Sequence, residues 1–265
     1  MPQIAVNGIN LHYAEAGDGP PLLLLAGFAS DSASWAPIAP RLGRSHKLIM
    51  PDNRGIGRSV SEGGHAFHLY ADDAAALMQA LGYDRYSVLG HSMGGLIALD
   101  AADRHHGSID RVLLAATAPT IPPHASTVME SLIALREAGA PLTEWHRQFF
   151  CWLFRPAFFD NARMVDAAIA LAIGYPYRPS AEAVRRQVEC LRGVDMTGAL
   201  SRIDAPILAI AAQHDLLFYT EELRRLFAPH AHVAFEVMEH AAHSLHWDAP
   251  DAFAARVEAF LSPGP

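Results

Sequence analysis

The chain has 265 residues, 51% of them hydrophobic, which is enough to bury a sizeable core in one α/β domain. Only 18% of the residues are charged and the formal net charge is −8, so we expect no nucleic-acid-binding surface. No apolar run approaches the roughly 18 residues that a membrane span needs, and the first residues lack the pattern of a secretory signal. We therefore expect a cytoplasmic protein without a membrane span.

The sequence gives little support to redox or metal chemistry. Its two cysteines, Cys151 and Cys190, lie far apart in segments rich in helix formers, which indicates free thiols in a reducing compartment. There are 15 histidines, but none falls in the spacings of known zinc sites. We expect neither a metal nor a cofactor.

The first part of the chain alternates strand and helix patterns. Hydrophobic residues alternate on both sides of Asn7-Gly8, which is typical of a β-hairpin. Continuous apolar runs then predict strands buried on both faces, with helical spacing between some of them. The predicted strands cover residues 22–25, 47–50, 86–89 and 111–115, and the predicted helices cover 69–81 and 96–102. Such alternation favours a parallel sheet covered by helices on both faces.

The alternation stops at about residue 120 and resumes at about residue 198. The segment between them has helical patterns interrupted by prolines, and it is rich in aromatic residues. After it come a strand at 206–211, a helix near 221–227, a strand at 233–238 and a helix near 250–261. We predict an α/β fold with a mostly parallel central sheet flanked by helices. Residues 1–119 and 198–265 form its core, and 120–197 form a helical cap inserted after the sixth strand.

The clearest chemical motif is Gly90-His91-Ser92-Met93-Gly94, which matches G-x-S-x-G. It lies directly after a predicted strand and directly before a predicted helix. The sharp turn between them exposes the serine oxygen at the strand's carboxyl end, next to free N–H groups at the helix start. This setting predicts Ser92 as a nucleophile.

A serine hydroxyl needs a base to remove its proton and an acid to orient that base. In this kind of fold the acid and the histidine follow the serine in that order along the chain. Asp215 follows the strand at 206–211, and both His240 and His243 follow the strand at 233–238. Parallel strands end at one edge of the sheet, so these side chains are expected to converge there with Ser92.

These motifs resemble the α/β-hydrolase superfamily over essentially the whole chain. Residues 243–250 are similar to the family's histidine segment, in which an acid and a proline follow the catalytic histidine. The resemblance favours His243 over His240 and His246 as the base, and Asp215 as the acid. Two other acids are alternatives to Asp215. Asp204 precedes its strand, and Asp195 is kept because the acid comes earlier in some relatives.

The resemblance also implies an oxyanion hole made of two backbone N–H groups. We assign one to Met93 and the other to Phe28, in the loop after the strand at 22–25. Relatives usually have His-Gly in this loop, whereas this chain has Ala26-Gly27. Residues 52–59 are similar to the family's D-x-R-G-x-G-x-S loop, and we expect them to shape that loop, with Arg54 in an ion pair.

The cap is expected to cover the nucleophile with an apolar pocket that excludes water. The candidate pocket residues are Trp145, Phe149, Trp152 and Phe154, although such aromatics also pack in a cap's own core. Trp35 is expected to pack rather than to contact substrate.

The resemblance extends to small bacterial carboxylesterases and 3-oxoadipate enol-lactonases. It implies hydrolysis of a small-molecule carboxylic ester, lactone or thioester through a Ser-His-Asp triad, in a protein that could form a homodimer. A carbon–carbon bond hydrolase and a cofactor-free perhydrolase or haloperoxidase are alternatives within the same fold. A non-enzymatic binding protein of this fold is a further alternative.

Overall fold

The structure is a computed structural model that describes residues 2–59 and 64–262. Its centre is one eight-stranded sheet. The strands are β1 Gln3–Val6, β2 Ile9–Ala16, β3 Pro21–Leu25, β4 Lys47–Pro51, β5 Tyr86–His91, β6 Ile109–Ala115, β7 Ile207–Ala212 and β8 Val233–Met238. Their order across the sheet is β1-β2-β4-β3-β5-β6-β7-β8. Only β1–β2 and β2–β4 pair antiparallel, so the prediction of a mostly parallel sheet is confirmed.

Helices connect the strands and cover both faces of the sheet. The helix predicted at 69–81 begins two residues earlier and ends one residue earlier, close to Gly82, which has a φ of +82°. The helices are α1 Ala39–Leu42, α2 Phe67–Ala80, α3 Met93–Arg104, α4 Pro123–Glu137, α5 Leu142–Leu153, α6 Ala162–Gly174, α7 Ala181–Leu191, α8 Thr220–Phe227, α9 Leu245–Asp248 and α10 Pro250–Leu261.

The central strands β3 to β7 are largely buried on both faces, as their continuous apolar runs predict. Leu23 and Leu25 of β3 pack in a core with residues of α2, α3 and α8. Leu22 and Leu24 of the same strand pack on the opposite face, in a core with residues of α1 and α10. Successive side chains of a strand point to opposite faces, so a strand between two helical layers needs apolar residues at every position.

Helices α4 to α7 lie between β6 and β7, and we call residues 120–197 the insert. The ends of the insert are adjacent, because Thr120 and Asp195 form a β-bridge and the Met196 N–H donates to the Pro119 carbonyl at 2.8 Å. Within the insert, Phe150, Val165 and Ile169 form a small core of their own. The division into a core and a cap at these boundaries stays a prediction.

Candidate active site

One cavity of about 570 Å³ lies between the carboxyl ends of the central strands and the insert. Its lower wall comes from the loops after β3, β5, β7 and β8, and its upper wall comes from the insert. Both Ser92 and His243 line it. This is the edge of an open α/β sheet at which ligands usually bind.

Ser92 occupies a strained position between β5 and α3. Its φ is +54° and its ψ is −121°, values that a side-chain-bearing residue rarely adopts. Several hydrogen bonds hold this conformation. The Ser92 N–H donates to the Ala115 carbonyl at 2.9 Å, and the Ser92 carbonyl accepts from Thr117 Oγ1 at 2.8 Å. The turn thus directs the Ser92 side chain toward the cavity, and 8% of the surface of this residue is exposed.

Glycines on both sides of the serine allow the sharp turn. A Cβ on Gly90 would collide with the backbone of Gly94, and a Cβ on Gly94 would collide with the carbonyl of Leu25. Strand β5, helix α3 and strand β3 therefore approach more closely than any larger residue would permit. This explains physically why the motif requires glycine two residues before and after Ser92.

His243 and Asp215 form a buried pair. The distance from His243 Nδ1 to Asp215 Oδ2 is 3.0 Å. The other carboxylate oxygen of Asp215 accepts from the backbone N–H groups of Leu217 and Phe218, at 2.8 and 3.0 Å. With Nδ1 donating to the carboxylate, Nε2 is the ring nitrogen left to accept a proton. The Phe218 ring stacks on the imidazole, with 5.7 Å between ring centroids.

The two residues assigned to the oxyanion hole, Phe28 and Met93, line the same cavity as Ser92. The Met93 N–H is the first of α3, and the first N–H groups of a helix have no partner within it. In the loop after β3, the N–H groups of Ala29 and Ser30 donate hydrogen bonds, but none from Phe28 is found within residues 2–59 and 64–262. Gly27 lies close to the serine, since a Cβ there would stand 3.2 Å from Ser92 Cβ.

A side chain of the insert reaches this loop. Gln187 of α7 is buried, and its Oε1 accepts from the Ala29 N–H at 2.8 Å. Ala29 has a φ of +55°, so the loop is held in a conformation that an isolated chain would not favour. Gln187 thereby connects the insert to the residue after Phe28. No sequence motif indicates this role, because Gln187 is an isolated polar residue in an amphipathic helix.

Two further histidines lie behind His243. His91 Nε2 donates to the His243 carbonyl at 2.8 Å, and the His91 ring is 4.6 Å from the His246 ring. Burial, together with the neighbouring His246 and His243, holds the pKa of His91 well below its ordinary value. Burial and the neighbouring His243 lower the pKa of His246 to about 3. Both rings are therefore neutral at physiological pH. The His246 ring packs against Trp35, which is fully buried.

The alternative residues lie elsewhere. His240 is exposed, and its backbone bonds to Gln213 and Arg155. Asp204 is exposed before β7, and Asp195 is exposed with its carboxylate bonded to the Thr197 N–H. Of the candidate acids, the structure brings only Asp215 to His243.

The loop at residues 52–59 has a structural part in the site. Both carboxylate oxygens of Asp52 accept backbone N–H groups, from Ser32 at 3.0 Å and from Arg58 at 2.9 Å. Arg54 forms a buried ion pair with Asp73, at 2.7 Å. Burial raises the pKa of Asp73, and its bonds to Arg54 oppose that rise. The ion pair expected for Arg54 is present.

The four candidate pocket residues all line the cavity. They also pack on one another and on the core, and their contact with a substrate stays a prediction. Phe149 meets Phe28 edge-on at 6.4 Å and Trp145 at 5.0 Å. Phe154 packs in the small core of the insert and stacks on Phe158 at 4.4 Å.

A polar contact also joins the insert to the loop after β3. The Tyr175 hydroxyl donates to Asp31 Oδ2 at 2.7 Å, and both residues line the cavity. Burial raises the pKa of Asp31, and the bond from Tyr175 opposes that rise. The sequence did not indicate this pair.

Groups of three or more metal-binding side chains are not found within residues 2–59 and 64–262. In the same part of the chain no helix is both long and apolar enough to cross a membrane. Cys151 and Cys190 are free thiols.

Comparison with known proteins places this architecture in a family. A sequence model described as the alpha/beta hydrolase fold matches residues 20–150. A protein of Agrobacterium fabrum (strain C58 / ATCC 33970), provisionally named carbamate hydrolase RutD, is 29% identical over 260 residues. The match covers 96% of this chain and 97% of that protein.

Solved structures agree over nearly the full length. The enol-lactonase from Burkholderia xenovorans LB400 superimposes with a TM-score of 0.87 and 26% identity, covering 99% of this chain and 100% of that one. A thermophilic esterase from Thermogutta terrifontis, solved with malate bound, has a TM-score of 0.84 and 25% identity, with 98% of each chain covered. The names of these relatives support hydrolytic activity. The chain belongs to the α/β-hydrolase superfamily and resembles small bacterial esterases and lactonases.

Proposed function

We propose that this protein hydrolyses a small-molecule carboxylic ester, lactone or thioester through Ser92, His243 and Asp215, with an acyl-enzyme intermediate. One observation carries the proposal. Ser92 is held at a φ of +54° and lines the same cavity as His243, whose Nδ1 is bonded to the buried carboxylate of Asp215. A strained serine beside an oriented histidine is the arrangement that nucleophilic acyl transfer requires.

In the first half of the reaction, His243 Nε2 takes the proton of the Ser92 hydroxyl as the serine oxygen bonds to the carbonyl carbon. The carbonyl π electrons move to its oxygen, which the N–H groups of Phe28 and Met93 stabilise. The carbonyl then re-forms, the bond from carbon to the leaving group breaks, and the leaving group takes the proton from His243. The charge of Asp215 stabilises the protonated imidazole between these steps.

In the second half, water replaces the alcohol or thiol. His243 removes one proton from the water, whose oxygen attacks the acyl carbon and forms a second oxyanion. Collapse of that oxyanion breaks the bond to Ser92, and the serine oxygen recovers its proton from His243. The acid is released, and the enzyme returns to its starting state without any cofactor.

The substrate pocket in this proposal is the cavity under the insert. Trp145, Phe149, Trp152 and Phe154 would contact the apolar part of the substrate and displace water, which strengthens the hydrogen bonds to the oxyanion. The cavity volume of about 570 Å³ is suited to a small molecule.

The test compares wild type with Ser92→Ala on p-nitrophenyl acetate and butyrate, and with a fluorophosphonate label. We expect Ser92→Ala to lower kcat by about 10⁵- to 10⁶-fold and to abolish labelling. Ser131→Ala is the matched control, because Ser131 is an exposed serine of α4 that does not line the cavity, and it should leave both readouts unchanged. Wild-type protein that neither cleaves nor labels, or equal labelling of Ser92→Ala, would overturn the proposal.

Cleavage of a carbamate or amide C–N bond is a second candidate, favoured by the identity to the carbamate hydrolase RutD. The same serine and histidine would serve it, with His243 protonating a leaving nitrogen instead of an oxygen. Matched phenyl ester and anilide substrates distinguish the two. A kcat/KM for the anilide at or above that for the ester would favour the second candidate.

A further inference from the structure

The upper wall of the cavity contains an unusual group of basic side chains. Arg136 lies in the last turn of α4, His146 lies in α5, and Arg178 lies between α6 and α7. All three line the cavity that contains Ser92, whose walls are otherwise mostly apolar. Basic side chains in a mostly apolar cavity wall are candidates for binding an anionic ligand.

Neither arginine has an ion pair with any carboxylate of residues 2–59 and 64–262. The face of the Arg136 guanidinium packs over the Trp145 ring at 4.9 Å, and its Nη2 donates to the Pro179 carbonyl at 3.4 Å. Arg178 Nη1 donates to the Ile173 carbonyl at 2.9 Å. Most other arginines of the described chain pair with an acid, including four in the insert: Arg147, Arg185, Arg186 and Arg192.

The basic groups act on one another without a compensating anion. Burial and the nearby Arg178 lower the pKa of Arg136. Burial, and then the charges of both arginines, lower the pKa of His146, although its bond to the Leu142 carbonyl opposes this. No carboxylate of the described part of the chain thus pairs with the positive charge at this end of the cavity, where Arg136 is half-buried and Arg178 is exposed.

The acidic side chains that line the cavity are engaged by other groups. Asp31 accepts from the Tyr175 hydroxyl and from the Ala33 N–H. Asp248 accepts from the N–H groups of Ala242 and Arg155, at 2.8 and 3.1 Å. Within residues 2–59 and 64–262, the acids of the cavity are thus committed to other partners, which leaves the two arginines available to an anionic ligand.

We propose that Arg136 and Arg178 bind a free carboxylate of the substrate, so that the enzyme prefers esters or lactones of acids with a second carboxylate remote from the scissile carbonyl. The inference rests on the proposed function, because it concerns the end of the same substrate that lies far from the reacting carbonyl. Guanidinium groups suit this task, since their planar N–H groups match the two oxygens of a carboxylate.

The aromatic contacts indicate where the two ends of the substrate lie. Phe28, beside the oxyanion position, contacts Phe149, which contacts Trp145, which in turn lies under Arg136. The three steps are 6.4, 5.0 and 4.9 Å. An apolar wall thus separates the reacting carbonyl from the arginines, and a methylene chain of several carbons would span it.

The test compares the monoethyl esters of butanedioic, hexanedioic and octanedioic acids with ethyl esters of the monocarboxylic acids of equal length. At low salt, we expect at least one monoester to have a KM about tenfold below that of its neutral counterpart. This is the gain expected from one partly exposed hydrogen bond between an arginine and a carboxylate. The advantage should shrink as ionic strength rises.

Variants assign the effect to the arginines. Arg136→Gln and Arg178→Gln should each remove most of the advantage by raising KM for the monoester, with kcat and the neutral ester little changed. Arg136→Lys should retain part of it. Arg163→Gln is the matched control, because Arg163 is an exposed arginine of α6 that does not line the cavity.

Binding is measured separately from turnover. Ser92→Ala protein is titrated calorimetrically with the same monoesters, and the Kd is compared in the Arg136→Gln background. Equal Kd values with and without Arg136→Gln would overturn the inference while the proposed function stands. Equal KM values for the charged and the neutral esters would have the same consequence. Hydrolysis that survives Ser92→Ala would instead overturn the proposed function, and the Kd comparison would still decide the inference.

Discussion

The two walls of the cavity are built in different ways. The lower wall holds Ser92, Asp215 and His243 on loops at strand ends, and each is buried and fixed by hydrogen bonds. The upper wall consists of insert helices whose side chains pack on one another and on the main core. Some, such as Leu171 at 76% exposure, are largely open to solvent. Under the proposed function, the lower wall would determine the reaction, whereas the upper wall could change to suit the substrate.

The largest expected effect is on the lower wall, in Asp215→Asn. The carboxylate now accepts from His243 Nδ1 through one oxygen and from two backbone N–H groups through the other. The single oxygen of an asparagine would stay with the N–H groups, and its NH₂ would face Nδ1. His243 would then carry its proton on Nε2, where it cannot accept one from Ser92.

We expect Asp215→Asn to lower kcat by about 10⁴-fold with little change in KM. Asp204→Asn is the matched control, because that acid is exposed before β7. Activity is measured with p-nitrophenyl butyrate, and thermal unfolding shows whether the fold is intact. A loss below about tenfold in Asp215→Asn would mean that another group orients His243.

The next prediction concerns the contact between the walls. Gln187→Met removes the acceptor for the Ala29 N–H while nearly keeping side-chain volume. The loop that carries Phe28 would then lose the contact that fixes one oxyanion donor. Since a lost donor lowers kcat by about 10²- to 10³-fold, a misplaced one should lower it by about ten- to a hundredfold.

Gln148→Met is the control for Gln187→Met, because Gln148 is an exposed residue of α5. KM for a short ester should change little, since the proposal concerns stabilisation of the transition state. A parallel loss of Tm and an unchanged kcat would show that Gln187 only stabilises the insert. That result would also mean that the upper wall does not position the loop that carries Phe28.

The lower wall could be predicted from the sequence to a large extent. Strand ends, a G-x-S-x-G turn and the chain order of serine, acid and histidine are local or topological features. They predict that Ser92, Asp215 and His243 lie at one edge of the sheet. The roles assigned to these residues stay predictions, although the geometry brings His243 and Asp215 together as expected.

The upper wall could be predicted only in outline. Helical spacing and many aromatics indicated an insert, and the four chosen aromatics do line the cavity. The contacts of Gln187, Tyr175 and Arg136 depend on how helices of the insert pack against distant loops. No periodicity in the sequence encodes such contacts, because they join residues more than a hundred positions apart or depend on side-chain direction.

A third prediction tests the neutral histidines of the lower wall, His91 and His246, which line the cavity beside His243. The pKa of His246 is about 3 in the folded protein, against about 6.5 in an unfolded chain. Between these two values the unfolded state binds the extra proton, so the free energy of unfolding falls as pH falls. The loss approaches about 1.4 kcal/mol per pH unit, a factor of ten in the unfolding equilibrium.

His246→Phe removes this titration and keeps an aromatic ring beside Trp35 and His91. Urea unfolding of both proteins from pH 8 to pH 4 should show a shallower decline in the variant below pH 6.5. Exposed His106→Gln is the control and should follow wild type. Parallel curves for wild type and His246→Phe would show that His246 is not held neutral by burial.

The smallest effect is expected on the upper wall, in Phe149→Leu. Phe149 lines the cavity between Phe28 and Trp145, so a smaller side chain lengthens the space available to an acyl chain. In Phe149→Leu, the two extra methylenes of a hexanoyl chain should fill this space. They should raise kcat/KM by about three- to tenfold relative to the butyrate ester, because a fully buried methylene contributes about 0.8 kcal/mol and these are only partly buried. The measurement is the ratio of kcat/KM for p-nitrophenyl hexanoate and butyrate. Phe159→Leu is the control, since Phe159 packs in the insert outside the cavity lining. An unchanged ratio in Phe149→Leu, with kcat reduced for both esters, would contradict this prediction. It would mean that Phe149 supports the loop that carries Phe28, and so belongs functionally to the lower wall.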